Sequence, residues 1–555
     1  VATRTSNRRK QVRSLPKRTR REVGRLRSIP GDWWAWSFLP LCLIYVVIVL
    51  THFDHLVVNI YGSSDTSAPL VLAEQFGERA GGHVVSSNYP WDATLIFALA
   101  TKWLPAHREI WELGPFLLGL LSIALMSWAA LRVAGRWGAA LTAVILLCAG
   151  PTLLELMFWL TDHTPTWYSL AVLGAFLVLL TDRKMSIGWL PLTILTLCVG
   201  VVVGISVATD KELITGGLAP LVLAGVGTWV MTRTALAARA MWFTLAAAAA
   251  TGVGAVVTTS IMRSEGVTTN GYEVKFAVLE AISTNVKVWW QSVAMLGNGN
   301  FFGEAIKFTT VIALICAALS VGTVLLIPRF AWRHISSRRS DQEAVDEQLN
   351  VYVIFWTASV VCLSVGFVFS SAPIFPYTPE DLGYLVGLIY AVAAMLPLLA
   401  RRSVAIRAVV AAGTLVFLLG SMIALGHSNS IKAPPSARGP SPEVAEDVAR
   451  VAERMHATDG YGLYWDAAAI TWRSNFRVLV APIVGCAGSQ GLCPGPNGYM
   501  EAWYNHTPPH RTFLLTDSSL LAWGPPATLG RAVATYHFGT VTMYVYNYNI
   551  IENLF

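Results

Sequence analysis

The feature that most constrains this chain is the recurrence of apolar stretches long enough to cross a bilayer. A hydrocarbon core about 30 Å thick needs roughly 20 consecutive apolar residues per helix. Such stretches lie at 35–53, 113–131, 138–160, 166–181, 189–208, 213–231, 241–262, 309–327, 351–372, 383–400 and 405–426. Composition agrees, because 54% of the 555 residues are apolar and 13% are charged, against about 25% charged in soluble proteins. A large soluble enzyme and a disordered chain are both excluded. The expected fold is a polytopic α-helical membrane protein of about 11 transmembrane helices, with a small C-terminal α/β domain.

Loop charge sets the expected topology. Residues 1–30 hold eleven Lys and Arg, from Arg4 to Arg27, against the single acid Glu22. Directly before an apolar stretch, such a segment reads as a positive-inside anchor rather than a nucleic-acid arm. A cleaved signal peptide does not fit, since no small-residue cleavage site follows the first stretch. With this end inside, the short inner loops carry Arg132, Arg136, Arg183, Lys184, Arg233, Arg239, Arg329, Arg333, Arg338, Arg339, Arg401, Arg402 and Arg407. The short outer loops carry only Lys211. The expected location is the plasma membrane, multi-pass, and an odd number of spans puts the C-terminal tail outside the cytoplasm.

Two longer outer segments remain. In 54–112, the apolar piece Ala93–Leu104 is too short to span and reads as an interfacial or re-entrant helix. In 263–308, Trp289-Trp290 and Phe301-Phe302 suit a headgroup boundary. The organisation expected is a basic segment over 1–30, a transmembrane region over 31–426 and a tail over 427–555. A Pro/Ser-rich linker, Lys432 to Ser441, leads into a helix with Pro442 in its first turn and Val444, Val448, Val451 and Met455 on one face. Strand patterns follow at Phe476–Pro482, Thr512–Leu515 and Thr540–Tyr548. Cys486 and Cys493 flank a short Gly/Ser loop in a disulfide-permitting compartment, so a bridge is expected. The other five cysteines lie in apolar runs and read as small packing residues.

Acids at the outer boundary carry the functional signal, because ionisable groups near membrane depth are costly unless used. Asp65 follows the first stretch among small residues, and could serve function or cap a helix starting near Ala68. The second outer turn reads Thr161-Asp162-His163-Thr164-Pro165, a pair able to bind a metal, relay a proton or steady an anion, or simply form a polar turn. Glu155, two turns earlier, must face protein or water. The third turn, Thr209-Asp210-Lys211-Glu212, offers either a phosphate-attracting cation or an internally neutralised cap. No nucleotide-binding glycine loop occurs in the inner segments.

Together these features resemble the GT-C superfamily of integral-membrane glycosyltransferases. The matching features are an inner N-terminus, a first span followed by a long outer loop with an early Asp, and a short interfacial helix. Further outer-turn acids, the eleven spans and a soluble tail complete the match. In the tail, the run Gly460 to Thr471 and the closing strand Val541 to Tyr546 look like tails of bacterial members. The basic leader and Ala/Val-rich spans look actinobacterial.

The resemblance implies a sugar moved from a polyprenyl-phosphate carrier to a cell-envelope glycan or lipoglycan, with inversion. It makes Asp65 the general base. Lys211 and His163, with Arg263 and Lys275 in reserve, would stabilise the donor phosphate. Asp162, Asp210 and Glu155 would orient substrate or a metal. Mannose is the favoured sugar and arabinose the next, since actinobacterial relatives use polyprenyl-phospho-mannose or decaprenyl-phospho-arabinose. A divalent cation is the cofactor the acids would suit, though no strict metal motif requires one. The expected partners are the lipid-linked donor, the glycan acceptor and the bilayer, with no nucleic acid. Trp465, Trp472, Trp503 and Tyr504 could stack on sugar rings or fill the tail's core. The rival classes are a lipid-linked glycan transporter, which would want charges at the bilayer midplane, and a non-catalytic envelope assembly protein.

Overall fold

The computed structural model describes residues 33–52, short pieces between 67 and 86, 108–158, 163–183, 187–269 save 265, 274–337, 346–371, 382–427 save 402, 441–504 save 487–491 and 496–497, 511–518 and 525–553. Asp65, Asp162, the basic segment 1–30 and the apolar piece Ala93–Leu104 lie outside them.

The apolar stretches become a helical bundle. Its helices are α1 (Trp33–Thr51), α2 (Arg108–Ala134), α3 (Arg136–Leu147), α4 (Pro151–Phe158), α5 (Thr164–Thr181) and α6 (Trp189–Thr209). They continue as α7 (Ala219–Thr232), α8 (Ala235–Ser264), α9 (Leu279–Leu296), α10 (Phe308–Ser337), α11 (Glu347–Val368), α12 (Val386–Ala400) and α13 (Val404–His427). Among the described residues, seven helices are long and apolar enough to cross a membrane, and four shorter apolar helices accompany them. The stretch expected as one span over 138–160 is interrupted: α3 ends at Leu147 and α4 begins at Pro151, because Pro151 cannot continue the hydrogen-bond ladder of the preceding turn.

Two packing devices hold the bundle. α6 and α8 meet through small residues, so close that a Cβ on Gly204 would stand 2.7 Å from the Thr251 carbonyl oxygen; small-residue stripes allow this where lipid offers no hydrophobic drive. α12 is the central helix. It packs on α2, α3, α5, α10, α11 and α13, and nearly every side chain from Val386 to Ala400 is buried.

Ion pairs mark one end of the bundle. Arg132 at the end of α2 binds Asp182 at the end of α5, Arg183 binds Glu347 at the start of α11, and Arg401 Nη1 donates to the Val133 carbonyl. Asp210 and Glu212, which follow α6, lie beside His163 at the start of α5, the opposite end of that helix from Asp182.

The tail is a mixed α/β domain. α14 (Pro442–Met455) starts at a capping Ser441, whose hydroxyl accepts from the Val444 N–H, and its Val448 and Val451 face is buried with Ala445, Ala449 and Ala452. Strands β1 (Val84–Ser86) and β2 (Val267–Thr269) precede it in the chain. The tail then supplies β3 (Asp459–Leu463), α15 (Tyr464–Arg473), β4 (Leu479–Gly485), β5 (Leu492–Pro494), β6 (Tyr499–Met500), β7 (Thr512–Asp517), β8 (Ala534–Phe538) and β9 (Val541–Tyr546). The six-stranded sheet has the order β5-β4-β3-β7-β9-β8, with β4 and β7 both parallel to β3. The strand expected from Phe476 starts three residues later, since Asn475 and Phe476 take positive φ in the turn after α15. Cys486 and Cys493 form a disulfide across the β4–β5 connection.

A second, three-stranded sheet ties the tail to the bundle. β1 pairs in parallel with β2 and antiparallel with β6, joining two loops and the tail. Trp289, expected at a headgroup boundary, is instead buried and donates its indole N–H to Ser364 Oγ of α11.

Candidate active site

The site forms where α5 begins and α6 ends. Pro165 occupies the first turn of α5, where its missing N–H is no loss. His163 is the residue just before that helix, and Asp210 the one just after α6. Asp210 turns the chain back: its Oδ1 accepts from the Glu212 N–H at 2.9 Å. Five residues in π-helical form, Ile214–Leu218, then feed α7. Such a turn is rare and concentrates at functional sites.

His163 Nδ1 lies 3.0 Å from Asp210 Oδ2 and 3.1 Å from Glu212 Oε2. Only the Asp210 contact has hydrogen-bond geometry; Glu212 Oε2 is buried with no hydrogen-bond partner among the described residues. Thr166 Oγ1, one turn into α5, donates to the same Asp210 oxygen. The imidazole is wedged from its other side. The Tyr384 ring stands 4.1 Å away, and a Cβ on Gly383 would lie 2.9 Å from His163 Cδ2. Gly383 and Tyr384 lead into α12, so the central helix fixes the ring.

Helix dipoles work against this arrangement. A histidinium is disfavoured at the start of α5 and a carboxylate at the end of α6, so each charge relies on the other. Burial disfavours a charged His163, but the Asp210 and Glu212 carboxylates outweigh it and hold the imidazole well above its ordinary value. Burial pushes Glu212 up to about 7, opposed by His163 and reinforced by Asp210. The result is an anionic cradle around one imidazolium.

The same three residues fit a divalent cation. Each offers one ligand atom, all within 4.8 Å of one another. The set of one imidazole nitrogen and two carboxylate oxygens suits zinc or a similar ion, and the buried Glu212 Oε2, which makes no hydrogen bond among the described residues, is the atom such an ion would satisfy.

Of the residues singled out in the sequence, His163 and Asp210 come together. Lys211, between Asp210 and Glu212, is exposed. Arg263 ends α8 and Lys275 precedes α9, both exposed, and Lys275 joins the end of α11 through main-chain bonds to Ser371. Glu155 lies in α4, its side chain outside the described residues. Glu212 is the participant that sequence reasoning placed only in a turn. Its signal was the Asp-x-Glu spacing, which lets Asp210 accept from Glu212 and turn both carboxylates to one histidine. In the tail, Trp472 and Trp503 are buried and Tyr504 hydrogen-bonds the Pro482 carbonyl, so they pack the domain; Trp465 is 40% exposed.

No family model matches the sequence, and no curated protein matches it. Solved structures do. ArnT from Cupriavidus metallidurans bound to undecaprenyl phosphate superposes at a TM-score of 0.50 and 12% identity, covering 90% of this chain and 97% of ArnT. ArnT in the apo state gives 0.46 at 14% identity over the same shares. The archaeal oligosaccharyltransferase AglB from Archaeoglobus fulgidus, in complex with an inhibitory peptide and a dolichol-phosphate, gives 0.42 at 12% identity, over 81% of this chain and 64% of AglB. At this identity the likeness is one of fold, carried by the first superposition. A helical bundle with an α/β tail, matched over nearly its full length by ArnT, shares the fold of that structure.

Proposed function

We propose that this chain is a membrane glycosyltransferase that moves a sugar from a polyprenyl-phosphate carrier to a cell-envelope glycan or lipoglycan. The observation that carries this reading is the His163 imidazole held between Asp210 and Glu212, in a fold shared with an enzyme solved with undecaprenyl phosphate. The seven long helices and four shorter apolar ones are in keeping with eleven spans, with α3 and α4 together crossing as one broken helix. The Arg-rich end of the bundle is then cytoplasmic by the positive-inside rule, and the His163 end and the tail, over 427–555, are extracytoplasmic.

In this reading, Asp65 accepts the acceptor hydroxyl's proton as that oxygen attacks the anomeric carbon. The bond from that carbon to the carrier phosphate breaks, the electron pair leaves with the phosphate, and attack from the opposite face inverts the centre. His163 meets the growing negative charge. With Nδ1 committed to Asp210, its Nε2–H is the donor left for a phosphate oxygen. Asp210 is a positioning residue acting through His163. Lys211, Arg263 and Lys275 draw the anionic headgroup to this face, and Asp162 and Glu155 orient sugar hydroxyls. Mannose is the favoured sugar and arabinose the second.

The buried Glu212 oxygen that makes no hydrogen bond among the described residues favours a second form of the same site. His163, Asp210 and Glu212 would then hold a divalent cation, which supplies the charge that neutralises the phosphate.

The deciding experiment offers the purified protein synthetic polyprenyl-phospho-mannose and polyprenyl-phospho-arabinose with short glycan acceptors. Wild type is expected to transfer one of them, and well-folded Asp65→Asn and His163→Gln proteins to lose most turnover. Normal activity in both variants would overturn the site. Absence of transfer with either donor, alongside carrier movement across vesicles, would favour the transporter class.

A further inference from the structure

Asp210 follows the last turn of α6, where the helix dipole disfavours its charge, and donors gather on both of its oxygens. Oδ1 accepts from the Glu212 N–H at 2.9 Å. Oδ2 accepts from Thr166 Oγ1 and meets His163 Nδ1 at 3.0 Å. The Glu212 bond belongs to Asp210's own turn, and His163 is the group being held. Thr166 is the donor that comes from within α5.

Thr166 also holds the histidine. Its N–H donates to the His163 carbonyl at 3.1 Å, so one residue bonds both members of the pair, His163 through the main chain and Asp210 through the side chain. The residue is completely buried. The hydroxyl of a helical threonine ordinarily bonds back to a carbonyl of the preceding turn, as Thr181 and Thr196 do in this bundle. Thr166 instead directs its hydroxyl to a side chain 44 positions away. With Oδ2 bound from α5 and Oδ1 from the Glu212 N–H, the carboxylate cannot turn without breaking a hydrogen bond. Its Oδ2 therefore stays on Nδ1, while Tyr384 at 4.1 Å bounds the ring from the other side.

We propose that Thr166 is a positioning residue of the active site, whose hydroxyl locks the Asp210 carboxylate against His163 and so aims the imidazole at the carrier phosphate. The proposal rests on the transferase reading. The lock acts through His163 and touches no substrate, so its loss lowers kcat and leaves KM in place.

The test compares Thr166→Val, which keeps the side-chain shape without the hydroxyl, with Thr166→Ser, which keeps the hydroxyl. Both are made in the full chain and assayed with the polyprenyl-phospho-sugar that wild type uses. Thr166→Val is expected to lower kcat by roughly 10–10²-fold, as misplacement of a reacting group does, at unchanged KM, and Thr166→Ser to restore it. In a His163→Gln background Thr166→Val should cause no further loss, because a residue acting through another has nothing left to position. An equal loss in both backgrounds, a raised KM, or a Ser protein no better than the Val protein overturns the proposal. If Thr166→Val does not fold, Thr166→Ala takes its place. A second readout stands apart from turnover. In protein isotope-labelled at histidine Cε1, the His163 resonance, assigned by its absence from His163→Gln, should move in Thr166→Val and return in Thr166→Ser. Wild type that transfers neither sugar sinks the transferase reading, and the resonance then decides the lock: an unmoved signal overturns it.

Discussion

His163 and Asp210 stand 3.0 Å apart at helix ends that each disfavour the charge they carry. Neither position would keep its charge alone. His163→Gln and Asp210→Asn are therefore expected to fold and to lower kcat by roughly 10²–10³, the range for removing one charge-stabilising donor. A drop of similar size in both, with KM little changed, fits a single unit acting in the transition state. If Asp210→Asn leaves kcat intact, the two residues do not work together.

pH should act through the same group. Glu212 and His163 both have raised values in the fold, so their contributions to stability are full in acid and lost as pH rises, through about 7 for Glu212 and through the raised value of the imidazole for His163. Activity that needs the imidazolium falls on the alkaline side. Replacing Glu212 by Gln removes one of the carboxylates that hold the proton on His163, so the alkaline limb of the kcat/KM profile should move to lower pH. An unmoved limb would assign that ionisation to another residue.

Gly383 tests the wedge. A methyl group there would stand 2.9 Å from His163 Cδ2, and either the ring or the start of α12 must shift. Gly383→Ala is expected to reduce kcat by roughly tenfold or more, as misplacement of a reacting group by about 1 Å does, with a small change in Tm. Wild-type kcat in this variant would mean the imidazole has room to spare.

The small-residue seam between α6 and α8 predicts a stability effect without a chemical one. Gly204→Val would drive a side chain into the Thr251 carbonyl, and overpacking of this kind costs about 1–3 kcal/mol. Thermal unfolding in detergent should fall, while turnover of the surviving folded fraction stays near normal.

The disulfide makes its own prediction. Cys486 and Cys493 close a short loop, seven positions apart in sequence, and closure entropy gives on the order of 2 kcal/mol for a ring this small. The double Cys486→Ala, Cys493→Ala protein should show an earlier unfolding transition and faster proteolysis in the tail, with the helical bundle unaffected. An unchanged transition would mean that the β4–β5 pairing holds that corner without the bridge.

Much of the bundle was legible because its signal is one-dimensional. Twenty apolar residues in a row announce a helix whatever they pack against, and the helices at Trp189–Thr209 and Val404–His427 match their apolar stretches closely. The interruption at Pro151 was legible in principle, since proline names its own breakpoint. The tail was harder. β3 contains Gly460 and Gly462, weak strand formers, and is held by parallel neighbours on both sides, a tertiary effect that no local pattern records. At the site, His163 and Asp210 were visible as polar residues at membrane edges. Their meeting was not, because it depends on α5 and α6 being neighbours. Gly383 and Tyr384 gave no signal, since a wedge is defined only by what it presses against.

The small sheet of β1, β2 and β6 has a consequence for biogenesis. Its first strand leaves the ribosome near residue 84, its second near 267 and its last near 499. Between the first and the last, every later helix from α2 to α13 must be inserted. β1 can pair with β2 once residue 267 is made, but its other edge waits, unpaired, until all these helices have been made and β6 arrives. A nascent chain truncated before β6 would have these helices in place and β1 held on its β2 edge alone, so the junction between loop and tail is completed after the bundle.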